Sequence, residues 1–464
     1  MNPHPSLAAL WTEAQLPADA LGDVRLSGTE PVLPSSFAVG TAAQVSVAAA
    51  ALAAATLWRR RGGRRQAVSV DMRHAAIEFL SERFAGVEGT LPEDPWDRIA
   101  GTYQCGDGRW VRLHTNFPHH RDGILRILGC EYDKQAVAAA LRSWTGFDLE
   151  DAAAGNRLCA TAMRSFKEWD AHPQGQAVVT QPVVRITRID DAPARGLPPA
   201  ARPLSGVRVL DLTRVIAGPV CGRTLAAHGA DVMNIASPNL PNLPQLIVDT
   251  GRGKLSAFLE LRDKADNDRL KDLLSEADIF VQGYRPGGLA DLGFSPQDAA
   301  RIRPGIVYVS LSAYGHVGPW SDRRGFDSLT QTASGMNHAE AEAAGETVPK
   351  ALPCQALDHG SGYLLAFGAL TALMRRMQEG GSWHVQVSLA RTGRWIRDLG
   401  RVRDGLAIPA PEAADIADLL EESQSGWGRM HAVRHSAELS ETPTRWDRPC
   451  VPLGTHPAEW PAAP

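Results

Sequence analysis

Residues 206–235 read GVRVLDLTRVIAGPVCGRTLAAHGADVMNI, and this stretch decides the fold. It opens with a short run rich in valine and leucine, which is typical of a buried parallel strand. From Gly218-Pro219 to Gly229 the apolar residues recur at helical spacing, and a second apolar run follows. The stretch therefore predicts a β-α-β unit.

The same alternation continues along the chain. Further apolar runs and one amphipathic helix pattern follow in order: KLSAFLEL, KADNDRLKDLLSEA, DIFVQGY and GIVYVSLSAYG. Alternating strands and helices predict an α/β fold with an open, mostly parallel, Rossmann-like sheet that carries helices on both faces. Ligands of such sheets bind beyond the carboxyl ends of the strands. There the sequence has TRVIAGP, ASPNLPN, QGYRPGG and SAYGHVGP.

The N-terminal half predicts a smaller α+β domain. GTYQCGDGRWVRLH is typical of a hairpin that turns at Gly106-Asp107-Gly108, and residues 148–172 favour helix throughout. A stretch rich in proline, alanine and glycine predicts a linker. We therefore divide the chain into residues 1–189, a linker at 190–206, the sheet domain at 207–400 and a proline-rich, patternless tail at 401–464.

Composition excludes several classes of protein. The 464 residues carry a formal charge of −4, which gives no electrostatic case for a nucleic-acid partner. Six scattered cysteines without a CxxC pair favour a reducing compartment, and the first residues lack a signal-peptide pattern, so we expect a cytoplasmic protein. The alanine-rich segment from Ala38 to Trp58 favours a buried helix over a membrane span. No metal-ligand spacing occurs, and His119-His120 is most simply a surface pair.

An internal repeat links the two halves. Residues near 49–75 match residues near 367–392: each has an apolar helix with a basic end, a Gly-Gly turn and an alternating strand. Aligned on the helix, Asp358 corresponds to about Ala42, so only the second copy keeps a carboxylate at this place.

Asp358 stands where this second helix begins. One interpretation is an ordinary N-cap that accepts a backbone N–H. The other is a nucleophile: the helix N-terminus would keep the carboxylate ionised even when partly buried, and such a carboxylate can attack an activated acyl carbon. Gly360 and Gly362 would let a substrate approach closely.

Several ordered motifs resemble the family III CoA-transferases, whose superfamily includes α-methylacyl-CoA racemase. The similarity covers about residues 204–389 and rests on PLSGVRVLDLTRVIAGPVCGRTLAAHGADV, GRGKLSAFLEL, ADIFVQGYRPGGLADLGF, RPGIVYVSLSAYGHVGPW, RRGFDSLTQTASG and LDHGSGYLLAFGALTALMRR. The resemblance implies that Asp358 is the nucleophile, that a CoA thioester is a substrate rather than a bound cofactor, and that the chain forms a homodimer. It also implies transfer from an acyl-CoA to a carboxylic acid through an aspartyl anhydride and an aspartyl-CoA thioester. The N-terminal half resembles the later part of a family member, as a circular permutation would produce.

The resemblance also implies binding residues. Arg252, Gly253 and Lys254 in DTGRGK match a family region beside the nucleotide, although the residues alone fit a solvated turn equally well. The other residues implied are Gly283, Tyr284 and Arg285 for CoA, and Ile216, Phe326 and Gly360 for the substrate pocket. Arg323 and Arg324 fit phosphate contacts or a solvated face. Ala236, Ser237 and Asp291 depart from charged positions of the family, which fits weaker CoA binding, a different docking mode or a decayed enzyme.

Two alternatives stay open. A racemase of the same superfamily has a His-Asp pair after the glycine, where this chain has Gly325-Phe326-Asp327. Phenylalanine cannot carry a proton, which favours transfer, although His359 or His316 could substitute. The second alternative is a non-catalytic paralogue that acts as a partner subunit, for which the loss of the carboxylate near Ala42 is a precedent.

Overall fold

The computed structural model describes residues 2–285 and 287–462. We divide the elements between a first part of the chain, up to residue 206, and a second part, from residue 207 onward. The first part contains α1 (His4–Glu13), β1 (Val24–Ser27), α2 (Val39–Arg60), β2 (Val68–Asp71), α3 (Met72–Glu78), α4 (Ser81–Phe84), β3 (Gly86–Val87), β4 (Gly101–Gln104), β5 (Trp110–Leu113), α5 (Pro118–Leu128), α6 (Lys134–Leu141), α7 (Gly146–Gly155), β6 (Ala160–Ala162), α8 (Phe166–Ala171), α9 (Pro173–Val179) and β7 (Arg185–Asp190). The second part contains β8 (Arg208–Leu212), α10 (Ala217–Ala227), β9 (Asp231–Ala236), α11 (Pro244–Thr250), β10 (Lys254–Phe258), α12 (Lys264–Ser275), β11 (Ile279–Gln282), α13 (Pro296–Ile302), β12 (Val307–Ser312), α14 (Asp327–Ala333), α15 (Met336–Ala344), α16 (Ala356–Glu379), β13 (Ser382–Ser388), α17 (Leu389–Asp398), β14 (Leu420–Ser425), β15 (Gly428–Val433) and β16 (Ala437–Leu439).

A seven-stranded sheet forms the centre of the molecule, in the order β10-β9-β8-β11-β12-β13-β7. Each neighbouring pair is parallel except β13 and β7, which are antiparallel. Alternate residues of one strand enter different cores: Val209 packs with the cluster that contains α10 and α16, and Leu210 with the cluster that contains α12 and α13. The predicted α/β fold with helices on both faces is therefore confirmed.

The smaller α+β unit is a three-stranded antiparallel sheet, β4-β5-β6, with its own core beneath α5, α6 and α7. The predicted hairpin is present as β4 and β5. The prediction of helix throughout residues 148–172 is wrong, because β6 interrupts it and pairs Ala162 with Val111. A short buried run of small residues satisfies a helix pattern as well as a strand pattern, so periodicity alone could not separate them.

The two repeat units lie side by side. α2 packs along α16, and each helix is followed by a strand and another helix. α2 is long and apolar enough to cross a membrane by composition, yet nearly all of it is buried inside the fold. The edge strands are exchanged between the units, because β7 of the first segment joins β13 while β16 of the tail joins β2. One core cluster therefore contains residues of both predicted segments.

The tail and the linker are both anchored. The tail, to which the sequence pattern assigned no fold, contains three strands: β14 pairs with β15, β15 with β3, and β16 with β2. In the linker, the Arg61 guanidinium donates to the carbonyls of Pro198, Pro203 and Ser205 at 2.7–2.9 Å. Strands this short gain their stability from tertiary pairing, which a local pattern does not record.

Candidate active site

Asp358 lies in the first turn of α16, but it does not cap the helix. The side chain of the N-cap residue, Gln355, makes no capping hydrogen bond. Instead Oδ2 of Asp327, at the start of α14, accepts from the backbone N–H groups of Leu357 (2.8 Å) and Asp358 (3.0 Å). The N-cap interpretation of Asp358 is therefore wrong. A carboxylate from another helix does the capping, and the side chain of Asp358 is left for other contacts.

The Asp358 side chain faces a cavity of about 430 Å³ and is itself only 8% exposed. Among the described residues, no group donates a hydrogen bond to its carboxylate. Burial, followed by the charges of Asp327 and Glu82, raises the pKa of Asp358 well above its ordinary value. The expectation that the helix N-terminus holds this group ionised is therefore wrong, because Asp327 takes the two N–H groups that would have done so.

The cavity lies where the sheet predicts it. Its walls come from segments at the carboxyl ends of five neighbouring strands: 214–217 after β8, 236–240 after β9, 259–262 after β10, 283–285 after β11 and 311–313 in β12. These strands are parallel, so their carboxyl ends meet at one edge of the sheet. Asp358 reaches the same edge from α16, and the helix therefore places a carboxylate at the head of a groove formed by loops.

Val215 is strained where the β8–α10 loop meets the cavity. Its φ of 72° lies in the left-handed region, which a β-branched residue rarely adopts. Such a conformation costs about 1–3 kcal/mol and persists only where the surroundings impose it. It directs Ile216 and Ala217, at the start of α10, into the cavity that Asp358 faces.

Five of the predicted site residues lie on this cavity with Asp358: Ile216, Gly283, Tyr284, Arg285 and Phe326. Gly360 is buried, and a Cβ there would lie 3.2 Å from Thr392 of α17. Gly362 is packed even more tightly, since a Cβ there would lie 2.6 Å from the carbonyl oxygen of Ala217. The prediction that these glycines admit substrate is therefore wrong, because they instead allow α17 and α10 to pack closely against α16.

Replacing Gly362 with alanine should force α16 and α10 apart and move Asp358 relative to Ala217. We expect a loss of about 1–3 kcal/mol in the free energy of unfolding, measured in urea, as overpacking typically costs. Gly155→Ala is the matched control, because a Cβ at Gly155, the last residue of α7, meets nothing within 4 Å. Equal stability of the two variants would contradict the close helix contact.

The remaining predicted CoA residues lie elsewhere. Arg252 is buried, pairs with Asp249 at 2.6 Å and stacks on Trp446. Lys254 is buried and donates to Asp211 Oδ2 at 2.8 Å. Gly253 has a φ of +79°, and a Cβ there would lie 2.6 Å from Trp446. None of these three residues lines the large cavity within the described chain, although Lys254 lines a smaller cavity that shares Arg214 and Val215 with it, so their contact with CoA stays a prediction.

The N-terminal half supplies the opposite wall of the cavity. Phe117, His119 and His120 line it, and the ring of buried His114 stacks on Phe326 at 3.8 Å. Burial lowers the pKa of His114 and of His120 to about 3, so both rings are neutral near pH 7. The prediction of a surface histidine pair is confirmed for His119, which is exposed, and wrong for His120, which is buried; both line the cavity.

Five arginines make the groove cationic: Arg214, Arg262, Arg285, Arg323 and Arg324. Of the described lining residues, only Glu260 and Asp358 are acidic. Ala236 and Ser237 line the groove without adding charge, and Asp291 lies 3.7 Å from Arg285. An excess of guanidinium groups in a concave site suits a polyanionic ligand such as a phosphorylated nucleotide.

Next to Asp358 along α16 lies a buried pair that the sequence did not reveal. Nε2 of His359 lies 2.9 Å from Glu82 Oε2, and its ring stacks on Phe79. Neither residue lines the cavity in the described chain. His316 also lies away from it, and burial lowers the pKa of His316 to about 4. Neither of the two histidines considered as proton carriers is among the described residues that line the cavity: His359 is buried, and His316 is half-buried beside a separate small cavity.

Sequence reasoning missed Asp327, Glu82, His114 and Arg214 as parts of the site. Asp327 carried a usable signal, since it follows Gly325-Phe326 in a motif that was compared with the family. Glu82 and His114 are distant in sequence from α16, and nothing local marks them. Only tertiary contact between the halves shows that they belong there.

The comparisons with known proteins show the family of the chain. The model of CoA-transferase family III matches residues 20–195 and 204–403. The acetyl-coenzyme A transferase nodX of Hypoxylon pulicicidum is 28% identical over 392 residues, which is 74% of this chain and 66% of that protein. The succinyl-CoA:glutarate CoA-transferase of Mus musculus is 31% identical over 40% of this chain and 45% of its own length.

Among solved structures, the crystal structure of Rv3272 from M. tuberculosis is 32% identical and has a TM-score of 0.40. That match covers 43% of this chain and 57% of Rv3272. The matches to nodX and to the mouse protein span 66% and 45% of those relatives, so this chain matches two thirds of their length or less.

Proposed function

The chain belongs to CoA-transferase family III, and on that premise we propose that it moves CoA from an acyl-CoA to a carboxylic acid by covalent catalysis at Asp358. The single observation that carries the proposal is the placement of this carboxylate. It is buried without a hydrogen-bond donor among the described residues, and it faces a groove lined by five arginines. A carboxylate that neither caps a helix nor pairs with a donor among the described residues has no visible structural role.

The proposed reaction begins with attack of an Asp358 carboxylate oxygen on the thioester carbonyl carbon. The C–S bond breaks, an aspartyl–acyl anhydride forms, and the negative charge leaves on the CoA thiolate. The thiolate then attacks the aspartyl carbonyl, which releases the donor acid as a carboxylate and leaves an aspartyl-CoA thioester. The acceptor carboxylate attacks this thioester and forms a second anhydride, from which CoA thiolate takes the acyl group.

The groove supports each step electrostatically. Its arginines would neutralise the phosphates of CoA, and the N–H groups at the start of α10, near Ala217, would stabilise the oxygen that becomes negative in each tetrahedral intermediate. The neutral, stacked pair of Phe326 and His114 would exclude water beside Asp358, because neither ring offers a charge to solvate. Excluding water protects an anhydride from hydrolysis.

The substrates, location and assembly are also proposals. One relative's name specifies succinyl-CoA and glutarate, and another's specifies formyl-CoA and oxalate. By analogy we propose an organic acyl-CoA donor and a carboxylic acid acceptor for this chain. We also propose a homodimer, with the arrangement of halves that a permutation would give, from the family resemblance, and a cytoplasmic location from the scattered cysteines.

Neither alternative has a specific observation in its favour. Racemisation needs proton carriers on both faces of the substrate α-carbon. Phe326, with neutral His114 stacked on it, occupies the place of one, and neither His359 nor His316 is among the described residues that line the groove. A non-catalytic paralogue would not need an open groove that ends at an unpaired carboxylate.

Trapping tests the proposal directly. The protein is incubated with each member of an acyl-CoA panel, quenched with hydroxylamine and digested, and peptides are read by mass spectrometry. We expect a hydroxamate at Asp358 with the true donor and an unmodified peptide without it. A modification at another residue, or CoA exchange with Asp358 unmodified, would contradict covalent catalysis here. Deuterium uptake at the α-carbon without transfer would indicate the racemase.

A further inference from the structure

Three carboxyl groups meet at the start of α16. Asp358 faces the cavity, Asp327 contacts the same helical turn through two backbone N–H groups, and Glu82 holds the side chain of the next residue, His359. All three side chains are at most 8% exposed. They come from α16, α14 and α4, so three separate segments of the fold meet at the first turn of α16.

The cations near this point act on Asp327 and Glu82 rather than on Asp358: Arg112 of β5 and His359 both interact electrostatically with Asp327. Arg83 approaches Glu82 only to 3.9 Å, with half of its side chain in solvent. His359 contacts Glu82 through Nε2, and its buried Nδ1 has no partner among the described residues. α10 and α17 bring only apolar side chains to the cavity beside Asp358, namely Ile216, Ala217 and Leu389. The charged groups that act on Asp358 are therefore Asp327 and Glu82, and both repel its carboxylate.

Building on the transferase function proposed above, we propose that Glu82 and Asp327 are positioning residues that destabilise the free Asp358 carboxylate and so favour its covalent adducts. In the anhydride and in the aspartyl-CoA thioester, residue 358 carries no charge. Its negative charge has left on the thiolate or on the released donor acid. Acylation therefore removes one of three like charges from a site with little solvent, which relieves the repulsion.

The direction of the pKa shifts agrees with this account. Burial raises the pKa of Asp327 to about 6, and the pKa of Asp358 lies well above its ordinary value. A group with a raised pKa loses its proton only at higher pH, so activity should rise with pH through a limb displaced to the alkaline side of an ordinary aspartate. Removing one neighbouring charge should return that limb toward lower pH.

The test uses Glu82→Gln, whose amide oxygen can still accept from His359, and Asp327→Asn, whose oxygen can still accept from α16. We expect each variant to move the ascending limb of kcat/KM to lower pH by about one unit. A shift of one pH unit corresponds to a tenfold change in the equilibrium between the free carboxylate and its adduct. At pH values above the ascending limb, the fraction of protein that carries aspartyl-CoA should therefore fall about tenfold, as measured by intact-protein mass spectrometry. Glu93→Gln, at an exposed site, is the control and should change neither quantity.

Either variant alone suffices if the other does not fold, which circular dichroism will show. An unmoved limb and an unchanged adduct fraction in a folded variant would overturn the inference, as would a wild-type limb near the pKa of an ordinary aspartate. In those cases a wild-type adduct at Asp358 would leave the transferase function standing. If the wild-type protein forms no adduct, both the function and this inference fail.

Discussion

Asp358→Asn should abolish CoA transfer, with kcat reduced at least about 10³-fold, as loss of a covalent nucleophile typically does. The amide keeps the shape of the side chain and the backbone contact to Asp327, but it cannot form the anhydride. Because the arginines of the groove are untouched, CoA should still bind, which titration calorimetry can measure. Full activity in the variant would refute covalent catalysis at this residue.

The same substitution should make the protein more stable. A group with a raised pKa favours the folded state below the pKa of the unfolded chain, and that stability is lost as pH rises through the folded pKa. Asparagine carries no charge to desolvate, so the gain in Tm should be absent near pH 4 and grow toward neutral pH. Asp272→Asn, at an exposed position on α12, should change neither Tm nor activity.

Opposite effects on activity and stability distinguish a functional group from a structural one. A residue that merely held α16 in place would lose both together. Asp327 offers that contrast, because its carboxylate caps the helix through Leu357 and Asp358. Removing the Asp327 carboxylate oxygens should therefore lower the free energy of unfolding.

The sheet could be predicted from the sequence because parallel strands buried on both faces are continuous apolar runs. The runs that contain Arg208–Leu212 and Val307–Ser312 are of this kind, and both are strands. The tail could not be predicted in this way. β15 and β16 are stabilised by pairing with β3 and β2, which lie far away in sequence.

The site was predictable where a local motif carries the residue to the sheet edge. Asp358, Phe326 and Tyr284 follow recognisable patterns, and all three line the groove. Arg252 and Lys254 also belong to such a pattern, but buried carboxylates bind them both. Whether a basic side chain on a glycine-rich loop faces solvent or a buried acid depends on tertiary partners, which the motif does not encode.

Arg223 is the position where we expect the largest loss of stability. Its fully buried guanidinium pairs with Asp249 and lies 3.8 Å from Glu78, and Ser81 also contacts it. Arg223→Met removes the cation and leaves two buried carboxylates undercompensated. Breaking a buried pair on one side typically costs about 3–5 kcal/mol, which urea unfolding at pH 7 should show.

The pH dependence separates this charge effect from simple loss of packing. Nearby cations hold the pKa of Glu78 and of Asp249 at about 2, so in the wild-type protein their contribution is present above the ordinary carboxyl pKa and is lost as pH falls toward 2. In the variant the loss of the cation should raise the pKa of both carboxyls. Its deficit should therefore be largest near pH 7 and shrink below about pH 4.

Arg64→Met provides the matched control for this substitution, because its side chain is 82% exposed and pairs with Glu441 at the surface. Exposed pairs contribute about 0–1 kcal/mol, so the control should unfold almost as the wild-type protein does. A deficit at Arg223 that is independent of pH would mean that packing, rather than charge, dominates. Because Glu78, Arg223 and Asp249 lie on α3, α10 and α11, a pH-dependent deficit would show that this ionic cluster joins the two halves whose contact builds the groove.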